Sequence, residues 1–293
     1  MIADTTILEA APAKVNLYLH IGGVRADGLH DLASLFVFTR DGDIVSVEDS
    51  DEISLTITGP FADALSAFPK EENLVWKAAA LLKDAYPVKG GAKITLVKNL
   101  PIAAGIGGGS ADAAAALRAL VQHWNLSIPV DVLSQMAFRL GADVPACLSG
   151  APVDVTGAGE RIAPGPKVAP FWVCLVNPGI ATLTGPIFSA FDRANPAPPH
   201  PVLATARQID EETIAALFRE TRNDLETAAC AHAPEINTTL NFLESQPGVL
   251  GHRMSGSGAT CFALFLSAER AVQAAAKAKK MGWWSLASQL QIG

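Results

Sequence analysis

The sequence predicts an α+β protein built as two domains. Three observations carry this: apolar residues alternate with period two in the early segments, alanine-rich stretches of high helix propensity follow, and a proline-rich seam at Ala163 to Pro170 precedes a second mixture of helices and strands. A length of 293 residues holds one large domain or two ordinary ones sharing a cleft. The expected division is 1–164 and 165–293, and no internal repeat is visible.

Val15, Leu17, Leu19 and Ile21 alternate with Lys14, Asn16, Tyr18 and His20, which predicts a half-buried strand with one core face and one polar face. Alternating stretches over Asp43 to Glu48 and Glu52 to Thr58 flank the turn-prone Asp49-Ser50-Asp51 and predict a hairpin, so the chain should open with an antiparallel sheet. A helix is expected from Glu72 to about Ala85, closed by Pro87 and Gly90-Gly91, and then a strand from Ala92 to Val97. Ala111 to about Trp124 is helical by propensity, and Asp131 to Leu140 forms a helix stopped by Gly141. Past the seam the expectations are a strand at Phe171 to Val176, a surface loop at Asn195 to Pro201, helices near Glu211 to Arg219 and Glu235 to Ser245, and a strand from Thr260 to Leu266.

Hydrophobic residues make up 49% of the chain and charged ones 17%, with a mean hydropathy of +0.27. Much of the apolar content is alanine and valine, which points to compactness and away from a membrane. The uncharged run Pro170 to Phe191 is interrupted by Asn177, Pro178, Gly179, Gly185 and Pro186, so it reads as a buried strand followed by a loop. Asp4 and Glu9 precede any apolar stretch and no basic leader is visible, which leaves a cytoplasmic location as the expectation. Net charge is −7 with no run of lysines and arginines, so nucleic acid is not an expected partner. Cys147, Cys174, Cys230 and Cys261 stand far apart without a CxxC pair and are expected to be buried free thiols.

The chemistry begins after the strand at 92–97. Pro101-Ile102-Ala103-Ala104-Gly105-Ile106-Gly107-Gly108-Gly109-Ser110-Ala111 lies between that strand and a helix, where exposed backbone N–H groups and the positive end of the helix dipole favour an anion. It is not a Walker A loop, because Gly109 is followed by Ser110-Ala111 with no lysine. A dinucleotide fingerprint would want glycine or alanine where Ser110 stands, and would sit after the first strand. The protein-kinase triplets H-R-D and D-F-G are missing. Taken by itself the cluster fits equally a tightly turning loop capped by Ser110, with Asp112 complementing the helix dipole.

The run Leu100 to Ala113 resembles the second motif of the GHMP kinases, Pro12-Ala13-Lys14-Val15-Asn16-Leu17 resembles their first, and Ser255-Gly256-Ser257-Gly258-Ala259-Thr260 resembles their glycine-rich third. Arg25-Ala26-Asp27-Gly28-Leu29-His30 and Leu140-Gly141-Ala142-Asp143-Val144-Pro145 look like segments of the branch that serves non-mevalonate isoprenoid precursor biosynthesis. The resemblance implies a two-domain GHMP kinase fold with the active site in the cleft between the domains. It also implies ATP-dependent phosphorylation of the 2-hydroxyl of 4-diphosphocytidyl-2-C-methyl-D-erythritol, a small cytidine diphosphate conjugate, with Mg²⁺ as cofactor. The sequence departs from the pattern at Leu29, where the branch places an aromatic residue to stack on cytosine.

The same resemblance assigns roles. Asp143 becomes the general base, although it could also simply cap the next short helix. Lys14 and Asn16 project from one face of a strand about 6.5–7 Å apart, and the motif makes Lys14 the charge near the acceptor hydroxyl and Asn16 a substrate contact. A solvated lysine is the plainer reading of Lys14 alone. His30, after the turn signal Asp27-Gly28, is placed on the cytosine, with Phe188 on the opposite wall. A surface histidine is the alternative. Gly256, Ser257 and Gly258 would approach phosphates or merely form a turn, and Ser110 is the candidate Mg²⁺ ligand with Asp112 beside it. A GHMP-type kinase for another small acceptor, or a non-catalytic nucleotide sensor on the same fold, are the rival functions.

Overall fold

The structure, a computed structural model, describes residues 6–292. Asp4 lies outside them. In chain order the first elements are strands β1 (Ile7–Val24), β2 (His30–Glu48) and β3 (Ile53–Thr58), helices α1 (Ala62–Ser66) and α2 (Leu74–Ala85), and strand β4 (Ala92–Val97). Helices α3 (Gly108–His123), α4 (Val130–Leu140) and α5 (Val144–Ser149) follow, then strands β5 (Val153–Gly157), β6 (Arg161–Pro164), β7 (Lys167–Val168) and β8 (Trp172–Asn177). The remainder is α6 (Thr184–Ala194), β9 (Gln208–Ile209), α7 (Ile214–Glu220), α8 (Glu226–His232), α9 (Glu235–Glu244), β10 (Gly251–Met254), β11 (Cys261–Phe265), α10 (Ala268–Lys280) and β12 (Trp284–Gln289).

These elements form two compact units, each drawn from three stretches of sequence rather than from continuous halves. Of the described residues the first takes 6–13, 41–102 and 107–149, and the second takes 14–40, 103–106 and 150–292. Strand β2 gives its first residues to the second unit and its last to the first.

In the first unit, Ile44–Glu48 of β2 run antiparallel to β4, and β4 runs parallel to β3. The expected hairpin is therefore a correction: β4 inserts between β2 and β3, and the sheet is mixed rather than antiparallel. Period two identifies strands but is silent on which strand each one pairs with. Helices α2, α3, α4 and α5 pack together over this unit. Nearly every α3 residue from Ala111 to Leu120 is buried, alanine at most of them. Small side chains let neighbouring helices approach closely, which explains the alanine run better than propensity alone. Asn73 caps α2, its side chain accepting from the Val75 amide at 2.9 Å.

The second unit holds an antiparallel sheet in the order β10-β11-β8-β12, covered by α9 and α10. Leu32–Phe36 of β2 pair with β5, which pairs with β6. The strand and loop expected over Pro170 to Phe191 become β8 followed by α6, a helix the proline and glycine had masked. The four cysteines are free thiols, three of them buried and Cys230 half-buried. Among the described residues no helix is long and apolar enough to cross a membrane.

Candidate active site

Strand β1 is buried on both faces from Ala11 to Gly22, so the polar face expected to meet solvent does not. Its polar side chains are instead bonded to one another and to neighbouring strands. Lys14 Nζ donates to Asn16 Oδ1 at 2.9 Å and lies 4.4 Å from the centre of the Phe36 ring. Asn16 Nδ2 donates to Ser34 Oγ at 2.9 Å, and Ser34 Oγ donates to the Tyr18 carbonyl. A buried ammonium is tolerable only with such partners, and holding Lys14 in one position is what a charge aimed at a reacting group requires.

The crest of the glycine-rich loop, Ala103 to Ile106, belongs to the same unit. The Lys14 amide donates to the Ile106 carbonyl at 2.9 Å, Ser255 Oγ to the Gly105 carbonyl at 3.0 Å, and the Thr260 amide to the Ala104 carbonyl at 3.2 Å. Ser255 Oγ also accepts from the Asn16 amide at 3.2 Å. Gly105 has φ +75°, and a Cβ there would stand 2.4 Å from the Ser255 carbonyl oxygen. At Gly256, φ +55°, a Cβ would stand 2.8 Å from the Gly105 carbonyl. Both glycines are therefore dictated by close approach of backbone to backbone. Three segments from opposite ends of the chain thus meet around Asn16.

His30 and Phe188 also come together, with ring centroids 4.8 Å apart. His30 Nε2 pairs with Asp192 Oδ1 at 2.6 Å, which orients the imidazole. Leu29 is 54% exposed beside them, on a turn closed by Gly28 N to the Arg25 carbonyl at 3.0 Å. Ser257 Oγ lies 3.1 Å from Thr184 Oγ1.

In the first unit, β4 leads through Lys98 to Leu100, Pro101 and Ile102, and Gly107 to Ala111 open α3. The cap is Gly107 at φ +62°, not Ser110, which sits in the first turn. The Ala111 amide donates to the Gly107 carbonyl at 2.8 Å. Lys98 Nζ donates to Asp43 Oδ2 at 2.5 Å and to Asp112 Oδ2 at 2.7 Å, all three residues being buried. Burial pushes the Asp112 carboxyl up to about 8 against the pull of Lys98, with Asp43 adding to the rise. Burial opposes the charge on Lys98 as well, but the two carboxylates hold its ammonium above the usual lysine range. Asp143 immediately precedes α5 and its carbonyl accepts from the Cys147 amide at 3.1 Å, so the first turn of that helix fixes its backbone. A cavity of about 420 Å³ opens in this unit, lined by Leu55, Ile57, Leu65, Phe68, Pro69 and Asn73 among others.

Two family models match the chain: the GHMP kinases N terminal domain over residues 73–151 and the GHMP kinases C terminal over residues 203–282. A 4-diphosphocytidyl-2-C-methyl-D-erythritol kinase of Hyphomonas neptunium is 45% identical, covering 98% of each chain. The chain belongs to the GHMP kinases. A 4-diphosphocytidyl-2-C-methyl-D-erythritol kinase of Cereibacter sphaeroides strain KD131 is 47% identical over 94% of this GHMP kinase and 95% of its own length. Among solved structures, a 4-(cytidine 5'-diphospho)-2C-methyl-D-erythritol kinase superposes with a TM-score of 0.79 at 32% identity, covering 98% of this chain and all of the other.

Several residues that shape the site of this GHMP kinase escaped the sequence reading. Ser34, Asp192, Asn223 and Lys98 act through partners 14 to more than 160 residues away, and nothing local marks them. Ser255 stood inside the third motif, and its hydroxyl between two glycine-rich segments was the available signal.

Proposed function

We propose that this GHMP kinase transfers the γ-phosphate of ATP to the 2-hydroxyl of 4-diphosphocytidyl-2-C-methyl-D-erythritol, a step in non-mevalonate isoprenoid precursor biosynthesis, in the cytoplasm. The observation that carries the reading is the meeting of Lys14 and Asn16, the loop crest at Gly105, and Ser255 and Gly256 within hydrogen-bonding distance of one another. The substrate follows from the relatives named for it at about 45% identity over nearly the whole chain. The boundary between the two family domains is placed near residue 164, since the matched segments end at 151 and resume at 203.

Phosphoryl transfer needs positioning and charge stabilisation more than covalent chemistry. Asp143 orients the acceptor hydroxyl and takes its proton as the new P–O bond forms. Lys14, held by Asn16, offsets the negative charge that develops. Backbone N–H groups of Gly107 to Ser110, at the positive end of α3, cradle the ATP phosphates together with the segment from Pro101 to Ile106. The cavity at Leu55 and Ile57 takes the adenine: β3 borders β4, which leads into the loop. His30 and Phe188 hold the cytosine, and Gly256, Ser257 and Gly258 approach the substrate's diphosphate.

Among the described residues no group of three acidic, histidine or cysteine side chains could hold a metal. That suits Mg²⁺, which binds through nucleotide phosphates and keeps waters. Ser110 would hold it, whereas the Asp112 carboxylate is buried and committed to Lys98. When bound, the ion neutralises charge on the phosphates.

The test is ADP release by purified protein with Mg²⁺-ATP and diphosphocytidyl-methylerythritol, mevalonate, homoserine or galactose as acceptor. Turnover with the cytidine compound alone is expected. Turnover with another acceptor would overturn the base pocket, and none with any acceptor would overturn the kinase.

A further inference from the structure

Lys98 is tied on every side at the point where the chain leaves β4 for the loop. Its amide donates to the Thr58 carbonyl at 2.7 Å and its own carbonyl accepts from the Phe61 amide at 3.2 Å. Its side chain is 3% exposed. Asp43, to which the ammonium donates, also accepts through Oδ1 from the amides of Asn99 at 2.5 Å and Leu100 at 2.8 Å. Asn99 Nδ2 in turn donates to the Gly42 carbonyl at 3.0 Å. The start of the loop is thus clamped by Asp43.

The ammonium's second partner, Asp112, sits in α3 just past its first turn, beyond the end of the loop. Gly108 is glycine for the same reason: a Cβ there would stand 3.0 Å from Lys98 Nζ. One buried ammonium therefore joins the residues just before the loop to those just after it. As a stabilising element the cluster is poor. It buries two carboxyl groups with one cation, one of them pushed up to about 8 by burial, and among the described residues Asp112 Oδ1 has no hydrogen-bond partner. Buried ion pairs seldom gain over apolar replacements, and an unsatisfied buried oxygen is a direct cost.

We propose that Lys98 is a positioning residue that holds the two ends of the phosphate-binding loop in register, through Asp43 at its start and Asp112 at its end, so that ATP meets a loop already ordered. Closing and ordering a glycine-rich segment is an entropic cost that a ligand otherwise bears on binding. The inference rests on the reading that this loop binds ATP.

Asp112→Leu is the first variant, because it removes the acceptor at one end at similar volume while leaving Lys98 and Asp43 as a balanced pair. ATP affinity measured by titration calorimetry is expected to fall about tenfold, with a matching rise in KM for ATP and an unchanged KM for the acceptor. An equal ATP affinity in the folded variant, with or without a lower melting temperature, would overturn the proposal, since a purely structural tie moves stability alone. Should Asp112→Leu not fold, Lys98→Met combined with Asp43→Asn and Asp112→Asn removes the shared ammonium and all three charges together, keeps the Asx acceptor for Asn99 and Leu100, and carries the same expected loss. Wild-type protein that binds no ATP would instead sink the ATP reading on which the inference stands.

Discussion

Asn223 holds Gly256 in place. Its side-chain amide donates to the Gly256 carbonyl at 2.8 Å and to the Met254 carbonyl at 2.9 Å, while its Oδ1 accepts from the Leu225 amide at 3.0 Å. The residue is 6% exposed, and with every bond made it fixes the path of the third glycine-rich motif. Asn223→Ala is expected to cost about 2–3 kcal/mol, three lost bonds with two carbonyls and the Leu225 amide deprived of this partner. Asn223→Asp should be worse, because it faces a carboxylate oxygen against two carbonyls. Urea unfolding of both variants checks the order; equal stability to wild type would remove Asn223 from the architecture of the site.

Gly105 and Gly179 both adopt positive φ, +75° and +86°, but only Gly105 is crowded. A Cβ at 105 meets the Ser255 carbonyl at 2.4 Å, whereas one at 179 meets nothing within 4 Å. Gly179→Ala should therefore show only the backbone strain of about 1 kcal/mol. Gly105→Ala adds displacement of the third motif and is expected to lower ATP-dependent turnover at least tenfold beyond the Gly179→Ala control. Comparable turnover in the two variants would mean that the approach of the loop to Ser255 is unimportant to catalysis.

Local pattern marked several elements of this chain, though not α6, and left their partners open. The strand Ala92–Val97 and the arrest of a helix at Gly141 were legible because alternation and a glycine stop act within a few residues. The hairpin between 43–48 and 52–58 was not, because the strand at 92–97 takes the place between them. Nor was the burial of Lys14 and Asn16, which depends on Ser34 and Ser255, the latter 239 residues from Asn16. Family motifs marked the glycine-rich segments. The side chains that hold those segments, Asn223, Asp43 and Lys98, stand outside the motifs and show their role only when the chain is folded.

Leu29 is exposed and precedes His30, whose ring packs against Phe188, at the position where the resemblance leads one to expect an aromatic residue. Leucine covers a base face without the stacking contribution of an aromatic ring. Leu29→Tyr is expected to lower KM for the cytidine acceptor about fivefold, the equivalent of about 1 kcal/mol of added stacking, with KM for ATP unchanged. An unchanged acceptor KM would place the cytosine elsewhere.

The Asp112 carboxyl titrates near 8 in the folded protein, raised by burial, and near 4 in an unfolded chain. Between those values the folded state binds more protons than the unfolded one, so stability falls as pH rises from about 4 to 8. Asp112→Asn lacks this group and should lose less stability over the same interval. Urea unfolding at pH 5 and pH 8 checks it: the wild type should decline relative to the variant, and parallel profiles would mean that Asp112 stays ionised throughout.

Asp143 is half-buried just ahead of α5, with its carbonyl engaged in the first turn of that helix. The helix fixes where the carboxylate begins, and asparagine at this position preserves size and backbone. Asp143→Asn should therefore fold, bind ATP with wild-type affinity, and lose turnover by about 10²–10⁴-fold, the range that a positioned general base contributes. Single-turnover measurement with saturating ATP separates the chemical step from binding. A variant that retains most of its single-turnover rate would show that the hydroxyl is deprotonated without Asp143, and the role of base would pass to bulk solvent or to another group.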